Sequence, residues 1–339
     1  MGEEQDQAED EAPIMTGAGQ QPVSVLMSVY NGKRYLGEAI ESMLGQHFSD
    51  FQFVIVDDGS TDGSSDLVKS YKDRRITLIR QENRGLSAAL NAGLTAASGK
   101  YIARMDADDI SLPDRLKKQY AFLETHPECV GVGCNVMLID VQGNHLCTSD
   151  QPTSWREICS LLPRTPFYHS STMFRKEAAI QCGGYFEAIK HYFEDLIFFN
   201  RLSEFGELRN LPEPLMKYRL VPSAITNQGR AYYSSVLKIS MNILQTGEIS
   251  HDELEVLKKV TQLRTQEWKE SNYYLRIGKI FLEQTFDREK AFKHFLLSIH
   301  TRPLNGNAWF NLVLSFFPQA VIKRWKNMRC NQWRTGPHL

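Results

Sequence analysis

The sequence predicts an α/β fold, a doubly wound and mostly parallel sheet, followed by an all-helical C-terminal extension. Three observations carry that expectation. Short apolar runs at residues 23–29, 51–56, 76–79, 101–105 and 129–139 alternate with segments whose apolar residues recur at helical spacing. The runs are nearly continuous in apolar character, as strands covered on both faces are. From about Thr226 onward the alternation stops and strong helix formers take over.

The elements follow in order. Residues 1–21 are acidic and aperiodic, which predicts a disordered tail. In the first strand Val23, Val25, Met27 and Val29 share one face and Leu26 sits on the other. Asn31-Gly32 turns the chain into a helix striped by Tyr35, Leu36, Ala39, Ile40, Met43 and Leu44. A second strand ends at Asp57-Asp58-Gly59-Ser60. Then come a helix at about 62–71, a strand at 76–79, an Ala/Leu-rich helix at about 86–97 ended by Gly99, and a strand at 101–105. Pro113 suits the first turn of a helix over 113–125, and 129–139 closes the unit as a strand. Strands separated by helices imply parallel pairing with right-handed crossovers.

Past Asp140 the pattern loosens. A Gln142-Gly143-Asn144 turn precedes a short helix near 155–161, a strand at about 167–174, and a helix from Lys176 stopped by Gly183-Gly184. A helix near 193–205 leads to an extended segment ending at Arg219. Residues 273–317 hold two helix pairs resembling one tetratricopeptide-like unit, too few for an array. The expected division is a tail at 1–21, a catalytic domain at 22–225 with halves 22–140 and 141–225, and a helical region at 226–339.

Composition excludes several classes. The 339 residues are 42% hydrophobic and 23% charged, unlike a disordered, collagen-like or disulfide-scaffold chain. Thirty-nine Lys and Arg against 40 Asp and Glu leave a formal charge of −1, so no global basic field draws nucleic acid. Cys129, Cys134, Cys147, Cys159, Cys182 and Cys330 form no CxxC pair and no zinc-site spacing, as expected of thiols in a reducing compartment. A signal peptide is not recognisable, and no apolar run approaches about 18 residues, so the expectation is a cytoplasmic protein without a membrane span.

The informative polar residues cluster. Tyr30-Asn31, Asp57-Asp58 and Asp106-Ala107-Asp108-Asp109 each lie just past the C-terminal end of an expected strand, the edge of a parallel sheet where ligands bind. Asp106 and Asp108 point the same way in an extended segment. Like charges facing one crevice repel unless protonated or neutralised by a cation. Carboxylate oxygens suit Mg²⁺ or Mn²⁺, with substrate phosphates completing the shell. An isolated Asp-x-Asp is more often a solvated loop or a helix cap; the preceding strand, the second Asp pair opposite and the Pro-started helix that follows favour function. A phosphate-cradling Gly-x-x-x-x-Gly-Lys-Ser/Thr loop is missing, which argues against a P-loop kinase.

Four segments, Val23–Gly32, Val56–Asp62, Glu82–Leu86 and Ala103–Asp109, resemble in order and spacing the successive motifs of the family 2 glycosyltransferases. The resemblance covers about 22–220 and implies a GT-A-type mixed, mostly parallel sheet and an enzyme that uses a nucleotide sugar. It implies that Tyr30 lies along the nucleobase, Asp58 reads its imide edge, and Asp106 lies near the ribose and metal. Asp108 would be the metal ligand bridging to the diphosphate. Asn83 and Asn91 match family Asn positions, Arg115 takes a structural role, and Leu90 stands where many members have Arg. Phe193-Glu194-Asp195 resembles the pair that opens a helix in the family. By itself Asp195 is equally a helix cap; by the resemblance it is the general base. His169, in a segment that also matches, is either a packed core residue or a substrate contact. Gly183-Gly184-Tyr185 matches too, and Tyr218-Arg219 resembles an element near the acceptor.

The expected activity is an inverting, metal-dependent transfer of one sugar from a nucleotide diphosphate donor, UDP above all, to a hydroxyl of a glycan or glycolipid. That is a hexosyl- or N-acetylhexosaminyltransferase of polysaccharide or glycolipid biosynthesis. Arg324-Trp325 lacks the Gln of the Gln-x-x-Arg-Trp motif of processive synthases, so single addition is expected. Rivals are a non-catalytic nucleotide-sugar-binding protein and a sugar-nucleotide nucleotidyltransferase. The basic, Trp-containing stretch within 318–334 suits the inner face of an anionic membrane and a lipid-linked acceptor, or else is an ordinary helix packed on the catalytic domain. The helices at 226–317 are candidates for a homodimer interface or an acceptor platform.

Overall fold

The computed structural model describes residues 21–164, 166–189, 193–222, 233–261 and 265–325. The expected acidic tail therefore lies, apart from Gln21, outside the described residues, as does the expected helical start at Thr226.

The first half consists of β1 (Val23–Val29), α1 (Lys33–Leu44), β2 (Phe51–Asp57), α2 (Ser64–Ser70), β3 (Ile76–Arg80), α3 (Leu86–Ala96) and β4 (Tyr101–Asp106). Its strands run in the order β3-β2-β1-β4 and are all parallel. Alternation along β1 sends Val25 and Met27 into a core with Leu36, Ile40 and Met43 of α1. Leu26 faces the opposite core, with Val54, Val56, Ala89 and Leu90. Gly93 lets α3 lie close on that second face, because a Cβ there would sit 2.1 Å from Leu26 Cδ1.

The second half adds β5 (Ile110–Ser111), α4 (Arg115–Thr125), β6 (Cys129–Ile139), β7 (His145–Thr148), α5 (Trp155–Leu161), β8 (Met173–Arg175), α6 (Lys176–Gln181), α7 (Glu194–Leu202) and β9 (Glu207–Arg219). The sheet continues from β4 through β8, β6 and β9 to β5, with β7 beside β6. β8 is antiparallel to both β4 and β6, while β6 and β9 are parallel, so the sheet is mixed. The strand expected over 167–174 is shorter than its apolar pattern suggested. Residues His169–Ser171 form a 3₁₀ turn, with Ser171 N and Ser171 Oγ both bonded to Tyr168 O at 2.8 Å. Local hydroxyl bonding of this kind competes with a strand ladder. In β9, Pro212 and Pro214 lack a backbone donor, and the β6 register shifts on both sides of Asn135.

The C-terminal helices are α8 (Tyr233–Thr246), α9 (His251–Thr261), α10 (Gln266–Ile280), α11 (Arg288–Thr301) and α12 (Gly306–Leu314). α10 runs on into a π-helical turn at Phe281–Thr285. Val236, Ile239, Ile243 and Leu257 bury themselves against Leu196 and Ile197 of α7. Ser271 and Ser298 exchange hydrogen bonds between α10 and α11, and Asn305 donates to Ser271 Oγ at 2.9 Å. Tyr273 docks these helices on the sheet domain by accepting from Val141 N at 3.2 Å. Among the described residues no helix is long and apolar enough to cross a membrane. The five described cysteines are free thiols. Of the basic stretch, residues 326–334 lie outside the described residues; Ile322 is buried and Trp325 packs 5.2 Å from Phe310.

Candidate active site at the sheet edge

Register explains why the motif loops meet. Val29 pairs with Asp57 and Ser28 pairs with Asp106, so Tyr30, Asp58 and the Asp106–Asp109 loop leave adjacent strands side by side. Asn31 adopts φ +51° and ties the first two loops together, its Oδ1 accepting from Thr61 N at 2.8 Å. Tyr30 keeps 54% of its surface exposed, enough for its ring to meet a flat ligand. Asp58 is buried and accepts from Gln81 Nε2 at 2.7 Å and from Arg84 N and Gly85 N at 2.9 Å each. Those bonds hold the loop that carries exposed Asn83. Gly59, at φ +81°, is required there, since a Cβ would lie 2.8 Å from Asn83 N. Asp57 Oδ1 accepts from Ser60 N, whereas its buried Oδ2 makes no hydrogen bond among the described residues and lies 3.9 Å from Arg80 Nε.

Beyond β4, Asp106, Asp108 and Asp109 bring carboxylate oxygens within 4.8 Å of one another. Their surroundings differ. Asp109 is buried and spent on the scaffold, accepting from Ser170 Oγ at 2.6 Å and Arg219 N at 2.8 Å. Burial, then Asp108 and Asp106, push its carboxyl well above the usual range. Burial and then the Asp106 charge push Asp108 up to about 7. Asp106 pairs through Oδ1 with the buried Arg104 guanidinium at 2.7 Å, its own side chain remaining a third exposed. Arg219 braces the loop from behind: Nε donates to Asp108 O at 2.9 Å, and the guanidinium sits 4.4 Å over the Tyr35 ring and 2.5 Å from Glu38. Arg115, buried in α4, donates to Arg104 O and Thr172 O, the structural role expected of it. Asp106 and Asp108 thus present hard oxygen donors whose mutual repulsion a divalent cation would relieve.

The start of α7 supplies the second group of acids. Phe193 precedes it at φ +61°, a left-handed backbone rare outside glycine, and so sets the direction of Glu194 and Asp195. Burial, reinforced by Glu194, lifts Asp195 to about 6. His169 Nε2 lies 2.8 Å from Tyr185 Oη, and Nδ1 lies 3.7 Å from Glu194 Oε1. Burial and then the Arg104 charge depress His169 to about 3, so its ring is neutral near pH 7. His169 also feels the charges of both Asp195 and Asp106, which links the α7 end electrostatically to the β4 end.

Sequence reasoning brought forward Tyr30, Asp58, Asn83, Asp106, Asp108, His169 and Asp195. It passed over Arg104, the Asp109 anchor and the pairing of Tyr185 with His169. Arg104 did carry a signal: a guanidinium inside the buried strand Tyr101–Asp106 needs a counter-charge nearby.

A mostly parallel sheet that gathers carboxylates at its C-terminal edge, with an antiparallel strand set between β4 and β6 and helices after it, has the GT-A-like architecture. Residues 24–186 match the model for glycosyl transferase family 2. The putative glycosyltransferase EpsE of Bacillus subtilis is 37% identical over 62% of this chain and 77% of its own. The amylovoran biosynthesis glycosyltransferase AmsE of Erwinia amylovora is 32% identical over 71% of this chain and 93% of its own. The O-antigen biosynthesis glycosyltransferase WbnJ of Escherichia coli is 33% identical over 62% and 84%. Among solved structures, residues 1–349 of S. aureus TarS in complex with UDP-GlcNAc superpose with a TM-score of 0.53 at 17% identity, over 90% of this chain and 91% of that one. The chain spans 54% of the longer TarS structure. The chain belongs to glycosyl transferase family 2 and is a glycosyltransferase.

Proposed function

We propose that the enzyme transfers a single sugar, with inversion, from a UDP-sugar to a hydroxyl of a glycan or lipid-linked acceptor in polysaccharide or glycolipid biosynthesis on the cytoplasmic side. The observation that carries the reading is the presence of two kinds of half-buried acid, the Asp106/Asp108 donors at the end of β4 and the raised Asp195 at the start of α7, with His169 feeling the charge of both Asp106 and Asp195. AmsE and WbnJ support the pathway class, and the UDP-GlcNAc bound by TarS supports the nucleotide.

Asp108 and Asp106 would hold Mn²⁺ or Mg²⁺, and such an ion offsets charge on the departing diphosphate. Tyr30 lies along the nucleobase. Asp58 has given three acceptor positions to its own loop and keeps a fourth for an imide N–H, with Asn83 beside it. Neutral His169 is a sugar contact that carries no charge of its own. Asp195 takes the proton from the acceptor hydroxyl as that oxygen bonds to the anomeric carbon. The bond from that carbon to the diphosphate oxygen breaks on the opposite face, so one displacement inverts the centre and needs no enzyme nucleophile.

The test is a panel of nucleotide sugars with Mn²⁺ or with EDTA, read by thermal shift and by nucleotide release. A UDP-sugar should raise the melting temperature only with the ion, and UDP should be released slowly. Release of pyrophosphate, or no nucleotide turnover with any donor and acceptor, would overturn the reading.

A further inference from the structure

We propose that the outer face of α12 and the turn after it dock on an anionic lipid surface. α12 buries Ala308, Asn311, Leu312 and Leu314. Its other side leaves Trp309 49%, Phe310 46% and Val313 55% exposed, and the same helical spacing continues to Phe316 at 70% and Phe317 at 46%. Leu304, just ahead of the helix, is 90% exposed. Large apolar side chains scattered singly on a surface need no explanation, whereas a run of this kind marks an interaction site.

Charge selects the occupant. The last 50 residues contain eight of the 39 Lys and Arg and none of the 40 Asp and Glu, although the whole chain carries −1. The basic stretch starts against the apolar face, because Trp325 packs 5.2 Å from Phe310 while Lys323 and Arg324 beside it are exposed. Lys326, Arg329 and Arg334 follow in the sequence. A second copy of this face would bring like charges together. A nucleic acid would find positive charge but no use for Val313 and Leu304. An anionic bilayer takes both: its headgroups pair with the cations while aromatic and aliphatic side chains enter the boundary beneath. The Trp309 indole N–H is already bonded to Pro303 O at 2.8 Å, so its ring can be buried without stranding a donor.

The proposal is independent of the sugar and acceptor assignments, and its test reads no transfer. The full chain is sedimented with phosphatidylcholine vesicles, or with vesicles holding about a quarter phosphatidylglycerol. Binding is expected only to the anionic vesicles, weakening as salt rises. K323Q/R324Q should weaken it roughly 30-fold, and F316S/F317S at least about tenfold. Both variants alter exposed side chains and should keep the parent melting temperature. Equal binding to both vesicle types, or to neither, overturns the proposal. So does a dimer that F316S/F317S dissociates, or retention on single-stranded RNA without vesicle binding.

Discussion

The end of β4 and the start of α7 each carry buried acids, yet they are held in opposite ways. Asp106 sits against the Arg104 guanidinium, and Asp109 accepts from Ser170 and from the backbone of Arg219. Cations and donors line that loop, so its carboxylates are fixed in place. Asp195 has an acid, Glu194, as its neighbour, with a neutral imidazole and a phenol behind it. The Asp195 carboxylate accepts from the Leu196 backbone N–H at 2.8 Å, but burial and the Glu194 charge outweigh that bond, and its proton affinity climbs toward the pH at which a base is useful. Under the proposed function, the same side chain would serve as a metal ligand in one setting and a proton acceptor in the other.

The sharpest way to break that contrast is to neutralise one member of each group. Asp195→Asn should lower kcat by about 10³-fold with donor affinity within a few fold, because only proton removal is lost. Asp108→Asn should instead abolish the dependence of donor binding on Mn²⁺, read by calorimetry with and without the ion. If both variants lose donor binding alike, the two acids belong to one group. Next in size is Arg104→Met. Arg104 is buried but Asp106 is a third exposed to water, so removing the guanidinium costs one charged hydrogen bond, and urea unfolding should show a loss of about 1.5 kcal/mol. A smaller loss would mean that Asp106 is held chiefly by the loop itself.

The pH profile sharpens the contrast further. Asp195 is raised from the ordinary 3.8 to about 6, and its protonated form cannot accept a proton. At saturating metal and donor, kcat should therefore be level above about pH 7 and fall roughly tenfold per unit below about 6. A profile flat down to pH 5 would remove Asp195 as the base.

Much of this site was legible in the sequence because its rim is built from short local motifs at strand ends. Tyr30, Asp58 and Asp106 needed only the order of strands and helices to be brought to one edge. Partners distant along the chain were not legible. Asp109 meets the Arg219 backbone 110 residues away, and nothing in either segment announces the other. The antiparallel strand β8 was blurred into a longer run because Tyr168 to Thr172 read as apolar-flanked strand, although their hydroxyls and carbonyls close a local turn. In the helices, amphipathic spacing was readable, but the docking of Tyr273 on Val141 depends on a pair 132 residues apart.

The smallest effect tests whether His169 is merely held or takes part. Tyr185 is buried and stacks on Phe198 at 4.3 Å, and its hydroxyl lies 2.8 Å from His169 Nε2. Tyr185→Phe keeps the ring and its packing and deletes one oxygen. The imidazole nitrogen then loses its buried partner, a cost of about 1 kcal/mol, or a fall of about 1–2 °C in melting temperature for a chain of 339 residues. Since Glu194 and His169, the groups that act on Asp195, both remain, kcat should drop by less than about tenfold. The two readouts are taken on one preparation. A loss of kcat as deep as that of Asp195→Asn, with the melting temperature unchanged, would move the proton acceptor to the Tyr185–His169 pair and dissolve the division between the two acidic groups.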